Sequence, residues 1–360
     1  MRAPRDSARH AGVLAALALA ACAPAGPSLP WAAEPMPAAP TPATGPATPE
    51  QVELGRLLFH DPVMSSDRLV ACVTCHGQVW GLSDGLPQSI GVGGVGPAGT
   101  GRTGPTHTRR NAQTIWNAAY RETLFHDGRA GSLEAQVLVP LEDITELGRD
   151  PGELEAELRT IPAYVALFAA AFPDEAEPVS TLIAARAIAA FERTLLSDNA
   201  PYDQYLRGDE RALSEGARQG MFLFADAGCA DCHAPPLFES ARFENVGVPP
   251  LDGIEDRGRA EVTGDPADEG RFRVPTLRNL RETAPYLHTG AAPTMEDAIR
   301  SHRAALGGTA LGGTALQDDE VAAIVLFLSK ALTDKSREPR RPLTVPSGLE
   351  VPVDGYRVPR

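Results

Sequence analysis

The chain has 360 residues, a net charge of −14 at neutral pH and five cysteines. This acidic balance argues against nucleic acid as a partner, because binding to a phosphate backbone requires a basic surface. About 290 residues remain once both ends are set aside, and this length is sufficient for two domains of ordinary size.

The first 22 residues predict an export signal that is not part of the fold. A start with three arginines is followed by an apolar run from Ala11 to Ala21, which is too short to cross a bilayer. The run ends in a sequence similar to a bacterial lipobox, with Cys22 as the residue that would carry the lipid. The alternative is an ordinary signal peptide with an incidental cysteine. Both interpretations predict a periplasmic protein, and the first adds a lipid anchor.

Residues 23–48 are rich in proline and alanine and predict an extended tether. Residues 335–360, rich in proline and arginine, predict a surface tail. Apolar periodicity and capping residues between them predict helices over Thr48–Phe59, Leu133–Val139, Pro151–Arg159, Pro162–Ala171, Val179–Leu196, Ser214–Ala225, Thr294–Ala305 and Gln317–Ala331. Strand signals are few, so the chain is expected to be mainly α.

A Cys-x-x-Cys-His run occurs once in each half of the chain. In such a run both thiols can bond to the vinyl groups of one haem, and the histidine becomes an axial ligand of its iron. A shared zinc site or two redox dithiols would leave the two histidines unexplained. The sequence therefore predicts two covalently bound haem c groups, attached through Cys72, Cys75 and His76 and through Cys229, Cys232 and His233.

Each haem motif is preceded by a similar helical run. Gly55–Phe59 comes before the first motif and Gly220–Phe224 before the second. This repeated plan predicts two cytochrome-c-like haem domains in tandem, over residues 49–196 and 197–334.

Further short motifs follow one another in a fixed order between residues 51 and 331. They are Ser83–Gly85, Arg110–Asn111, Asn117–Ala119, Leu124–Arg129, Ser132–Gln136, Phe272–Asn279 and Thr283–His288. With the haem motifs, this series resembles the bacterial di-haem cytochrome c peroxidases and their relative MauG, which matures a tryptophan-derived quinone cofactor. The resemblance implies that hydrogen peroxide reacts at the N-terminal haem, while the C-terminal haem relays electrons from a small cytochrome c or cupredoxin.

The resemblance also implies particular site residues. The family has a catalytic glutamate ten residues after a glutamine, and here Glu146 follows Gln136 at that spacing. It also has a calcium ion between the haems, which implies Ca²⁺ ligation by the Asn111 side chain and the carbonyls of Thr283 and Pro285. Alternatively, Glu146 belongs to a solvated acidic loop and is not catalytic. Asn111 could likewise be an ordinary turn residue that binds no calcium.

The sixth ligand of the C-terminal haem is expected fourteen residues after His288. That position is His302, where family peroxidases have Met and MauG has Tyr, so the resemblance implies ligation by His233 and His302. Met295 is the rival, because it lies two helical turns earlier on the same face.

Two further positions depart from the family pattern. His126 stands where many members have a tryptophan between the haems. Val92 stands where many peroxidases have a histidine that blocks the peroxide-site iron. His107, in the same loop, is either a resting-state ligand or a surface residue.

Three functions are compatible with these features. One is a peroxidase, and the second is a MauG-like enzyme that uses peroxide to oxidise a residue of a partner protein. The third is a non-catalytic electron-transfer cytochrome, which has no need of a distal acid such as Glu146. Many family members are dimeric, so a homodimer is also expected.

Overall fold

The computed structural model describes residues 28–42, 45–248, 251, 255–305, 316–336 and 339–354, and of 303–305 only the backbone. The predicted export signal and Cys22 lie outside these residues. Within them, no helix combines the length and the apolar character that crossing a bilayer would demand.

The described chain is mainly helical, as the sequence predicts. Its helices are α1 Pro49–His60, α2 Cys72–Cys75, α3 Leu133–Glu142, α4 Pro151–Thr160, α5 Pro162–Ala171, α6 Thr181–Glu192, α7 Pro201–Leu206, α8 Glu215–Asp226, α9 Ala260–Thr263, α10 Met295–Ala305 and α11 Asp318–Leu326. A π-helical turn, Phe327–Ala331, extends α11, and two short antiparallel strands pair as β1 Phe243–Glu244 and β2 Phe272–Arg273. The sequence did not predict α2, α7, α9 or the two strands.

Helix α1 crosses α6 at the centre of the N-terminal unit. The crossing is so close that a Cβ atom on Gly55 would overlap the backbone carbonyl of Ala187. Fully buried Leu54 and Leu58 lie on the same side of α1 and extend the apolar core around this contact. Glycine at position 55 is therefore what allows the two helices to meet backbone to backbone.

We expect Gly55→Ala to lower the free energy of unfolding by about 1–3 kcal/mol, the usual cost of overpacking a dense core. Gly131→Ala is the matched control, because a Cβ atom at position 131 has no neighbour within 4 Å. Its effect should stay within about 0.5 kcal/mol. Chemical denaturation of the two variants checks this, and equal stabilities would contradict the close helix crossing.

The C-terminal unit repeats this construction. Helix α8 packs on α11, and a Cβ atom on Gly220 would overlap the carbonyl of Ala323, as at the first crossing. The backbone also takes up positive φ angles at three matched pairs of non-glycine residues, which are Leu82 and Phe238, Asn117 and Asn279, and Phe125 and Leu287. Non-glycine residues rarely adopt this conformation. These shared features confirm two related units in tandem.

Both ends of the described chain pack against this body. In the predicted tether, the Trp31 indole donates a hydrogen bond to the Tyr202 hydroxyl over 2.8 Å and packs edge-on against Phe238. In the predicted tail, Ser347 donates to buried Asp61 over 2.6 Å. Neither contact was predicted from the sequence.

Candidate haem sites

The first haem motif lies in a short helix beside the N-terminal core. Helix α2 carries Cys72 and Cys75, and His76 directly follows it. The Nδ1 atom of His76 donates to the Leu82 carbonyl over 3.0 Å. This hydrogen bond fixes the imidazole so that Nε2 is the nitrogen left for a metal, which is the usual arrangement of a ligating histidine.

The second motif has the same arrangement. The Nδ1 atom of His233 lies 3.0 Å from the Pro275 carbonyl and 3.3 Å from that of Phe238. Leu82 and Phe238 share a positive φ, and their carbonyls accept hydrogen bonds from equivalent histidines. Burial lowers the pKa of His233 to about 4, so its imidazole is neutral and ready to ligate.

None of the four motif cysteines forms a disulfide within the described part of the chain. Burial raises the pKa of Cys72 to about 12 and that of Cys75 well above its ordinary value. Cys72 and Cys75 lie one turn apart on α2, directly before His76, which is the arrangement that two thioether bonds to one haem require.

A cavity of about 480 Å³ adjoins the second motif, and His233, His302 and Met295 all line it. His302 and His233 are close enough that the charge of one lowers the pKa of the other. The Nδ1 atom of His302 donates to the Ala298 carbonyl over 2.9 Å, which directs its Nε2 atom away from the helix backbone. Met295 is packed in the apolar core and only 6 % exposed.

Glu146 lies in the turn that follows α3. Burial, with a smaller contribution from the nearby Asp143 carboxylate, raises the pKa of Glu146 to about 7, and Arg129 partly offsets the rise. The charge of Glu146 also acts on both cysteines of the first motif. Glu146 is therefore a half-buried carboxyl beside the first haem motif, with a pKa suited to taking up and releasing protons near neutral pH.

Helices α3 and α10 occupy equivalent places in the two units. Ser132 accepts a hydrogen bond from the backbone three residues later at the start of α3, and Thr294 does the same at the start of α10. Eight residues after each cap come Pro140 and His302. Proline has no side-chain atom that can bind a metal. Half-buried Gln136 lies one turn before Pro140 on α3.

The three residues that the resemblance implies for calcium lie in one region. Asn111, Thr283 and Pro285 all line the cavity of the second motif. The Asn111 side-chain nitrogen donates to the Leu86 carbonyl over 2.5 Å, which leaves its amide oxygen as the atom available to a cation. The Asn111 backbone nitrogen donates to the His288 carbonyl over 2.8 Å and joins the two units here.

His126 and His107, the two histidines at or near positions that depart from the family pattern, differ in their surroundings. His126 is half-buried at the boundary of the units, where Nε2 donates to the Asn111 carbonyl and Nδ1 accepts from Gln113, each over 2.9 Å. Burial lowers the pKa of His126 to about 3, so the ring stays neutral. His107 is exposed and lines a cleft of about 810 Å³ between the units, with Asp143 on the same wall.

Sequence reasoning missed two residues at these sites. Pro140 could have been found by aligning α3 with α10 from their caps, since proline inside a helix is a strong signal. Arg102 gave no local signal. It is buried and donates to the carbonyls of Ile90 and Gly91, over 2.6 and 2.9 Å, in the loop next to Glu146.

Comparison with known proteins agrees with this geometry. Residues 49–211 match the family model for di-haem cytochrome c peroxidase. The chain is 36 % identical over 313 residues to the cytochrome c551 peroxidase of Pseudomonas aeruginosa, which covers 85 % of this chain and 84 % of that protein. It is 37 % identical over 266 residues to the methylamine utilization protein MauG of Methylorubrum extorquens, covering 73 % and 71 %.

A solved structure gives the same result. The crystal structure of a MauG-like protein associated with microbial copper homeostasis superposes with a TM-score of 0.71 at 32 % identity, over 84 % of this chain and 94 % of that one. Relatives of both branches therefore match most of this chain, and the di-haem family implies two haem c groups. The chain belongs to the di-haem cytochrome c peroxidase and MauG family, and it is an oxidoreductase.

Proposed function

We propose that this protein reduces hydrogen peroxide to water at the first haem site, with electrons that arrive through the second. The observation that carries the proposal is the difference between two equivalent sites. At the register where α10 carries His302, α3 carries Pro140, which cannot ligate. His233 and His302 would both ligate the second haem, whereas His76 alone would ligate the first and leave room for peroxide beside the half-buried carboxyl of Glu146.

The protein's part in the reaction is to move protons. Reduction of one peroxide takes two electrons and two protons and yields two water molecules. When bound, the haem irons supply the redox chemistry. Glu146 would accept the proton of the peroxide oxygen that binds and deliver it to the oxygen that leaves, and its pKa of about 7 suits both transfers. Gln136, on the same helix as Pro140, would hold the peroxide in place.

The remaining assignments follow from the same arrangement. His302, rather than Met295, would be the sixth ligand of the second iron, because its Nδ1 hydrogen bond orients the ring. Asn111, Thr283 and Pro285 would hold Ca²⁺ between the units. We also propose that the protein is periplasmic and that Cys22 carries a lipid anchor. Its electron donor would be a small cytochrome c or a cupredoxin, and two copies of the chain would form a homodimer.

A MauG-like oxidation of a partner protein is the second candidate. It is favoured by His107, which in this structure is exposed on the wall of the cleft rather than buried against the first haem motif. A first haem site that no loop histidine closes would be accessible to peroxide without prior reduction. Similarity to MauG and to the MauG-like protein of copper homeostasis points the same way.

Low-temperature EPR of the ferric protein, before and after one equivalent of peroxide, tests the proposed function. We expect one high-spin signal from the first haem and one low-spin signal from the second, and peroxide should alter both. Two low-spin signals that peroxide leaves unchanged, even after one-electron reduction, would instead show an electron carrier. Turnover with a reduced small cytochrome, compared with turnover without it, then separates the peroxidase from the MauG-like enzyme.

A further inference from the structure

The last described residues, Val353 and Asp354, contact two separate segments that frame the first haem motif. The Val353 carbonyl accepts a hydrogen bond from the Ala98 backbone nitrogen over 3.0 Å. The Asp354 carboxylate accepts one from the Val79 backbone nitrogen over 3.2 Å. One dipeptide near the C-terminus therefore joins two loops that lie about twenty residues apart in sequence.

The loop around Ala98 leads directly to Glu146. Arg102 holds this loop from within, because its guanidinium donates to the carbonyls of Ile90 and Gly91. The next residue, Val92, donates its backbone N–H to the Glu146 carbonyl over 2.9 Å. A Cβ atom on Gly91 would collide with the backbone of Glu146, so these two segments are in direct contact. Movement of the loop would therefore move Glu146.

The loop around Val79 leads to the other side of the same site. Gly77 directly follows His76, and the Asp354 carboxylate lies 3.0 Å from where a Cβ atom on Gly77 would be. Asp354 thus packs against the backbone next to the axial histidine. Its Oδ1 atom is buried and has no hydrogen-bond partner among the described residues. An exposed tail residue would not bury a carboxylate oxygen in this way, because the desolvation is costly.

The segment that carries this dipeptide is firmly held. The Ser347 hydroxyl donates to Asp61 over 2.6 Å, and Asp61 is itself fully buried and accepts from the Tyr164 hydroxyl. Arg341 donates to the Val351 carbonyl over 2.9 Å, and the Val351 side chain is 7 % exposed. Val353 and Asp354 therefore follow an anchored stretch of chain and can resist displacement of the two loops.

We propose that Val353 and Asp354 are positioning residues of the peroxide site, which hold the loop of Glu146 at a fixed place relative to the segment of His76. The proposal rests on the proposed function. A displacement of about 1 Å in a reacting group can lower a rate by about a hundredfold, so a contact remote from the chemistry can control it.

Two truncations test this role in the haem-loaded protein. A chain that ends at Pro352 lacks the dipeptide, and a chain that ends at Asp354 keeps it and is the matched control. We expect the first truncation to slow the reaction with peroxide by about 10- to 100-fold. Its pH midpoint should move to lower pH, because a loosened loop admits water to Glu146 and reduces the burial that raises its pKa. The control should match the full chain.

Asp354→Ala provides a second test if the shorter chain does not fold. It removes one side chain and should lower the peroxide rate several-fold, with the same shift of the pH midpoint. In both variants the low-spin EPR signal of the second haem should stay unchanged, which would show that the fold is intact. If both variants reacted with peroxide at the rate and with the pH midpoint of the full chain, the positioning role would be overturned. A full-length protein that does not react with peroxide would instead overturn the proposed function itself.

Discussion

Replacing Glu146 by glutamine should lower the rate of peroxide reduction by about two to four powers of ten. Glutamine keeps the size of the side chain but cannot accept and return a proton, and general acid–base catalysis typically contributes this much. Both haem attachments and both axial histidines remain, so the absorption spectrum should not change. Stopped-flow mixing with peroxide measures the rate directly.

Glu142→Gln is the matched control for this variant. Glu142 is exposed at the end of α3, four residues before Glu146, and its substitution also replaces a carboxylate by an amide. We expect a rate within about twofold of the unaltered protein, because an exposed charge is screened by water. If both variants retained near-normal rates, Glu146 would belong to a solvated acidic turn and have no catalytic part.

The pH dependence gives a second measure of the Glu146 role. Burial raises its pKa to about 7, so the carboxyl is mostly protonated at pH 5 and mostly ionised at pH 9. The ionised form is the one that can accept the proton of peroxide. The rate should therefore rise with pH through about 7 in the unaltered protein. In Glu146→Gln this rise should disappear and leave a low rate that changes little with pH.

The sequence predicted well those features that depend only on residues adjacent in the chain. The haem motif at Cys72–His76 is complete within five positions. Helices such as α8 begin at a capping residue, here Ser214, whose hydroxyl accepts from the backbone three residues later. Such signals depend on local geometry alone, and the structure contains these helices within a few residues of their predicted ends.

The features that were missed depend on contacts between distant residues. Helix α7, Pro201–Leu206, is short, and its buried Asp203 pairs with Arg278, which lies 75 positions later. Residues 335–360 were predicted to be a surface tail because they are rich in proline and arginine, yet Ser347 donates to buried Asp61, 286 positions earlier. Composition describes what a segment can do alone and not which partner covers it.

The choice between His302 and Met295 shows the same limit. The sequence places both on one helix two turns apart, and both line the cavity of the second motif. The structure adds the orientation of each side chain. The His302 ring is held at Nδ1 by the Ala298 carbonyl, whereas Met295 is packed among apolar residues. A hydrogen-bonded imidazole is already directed for ligation, which is the arrangement that both motif histidines share.

Replacing His302 by alanine should convert the second haem from low spin to high spin or to a water-ligated form. Loss of one strong axial ligand removes the field that keeps the iron low-spin, while His233 and both thioether bonds remain. His302→Met should restore a low-spin haem and raise its potential by about a few tenths of a volt, since thioether ligation favours the reduced iron. EPR and redox titration measure both changes.

Met295→Leu is the control, because leucine keeps the apolar volume of this buried side chain and removes its sulfur. We expect its low-spin signal and potential to match those of the unaltered protein. A low-spin signal that survives in His302→Ala and disappears in Met295→Leu would assign the sulfur as the ligand. The two sites would still differ in that case, because Pro140 stands on α3 at the register of His302 and offers the first iron no ligand of either kind.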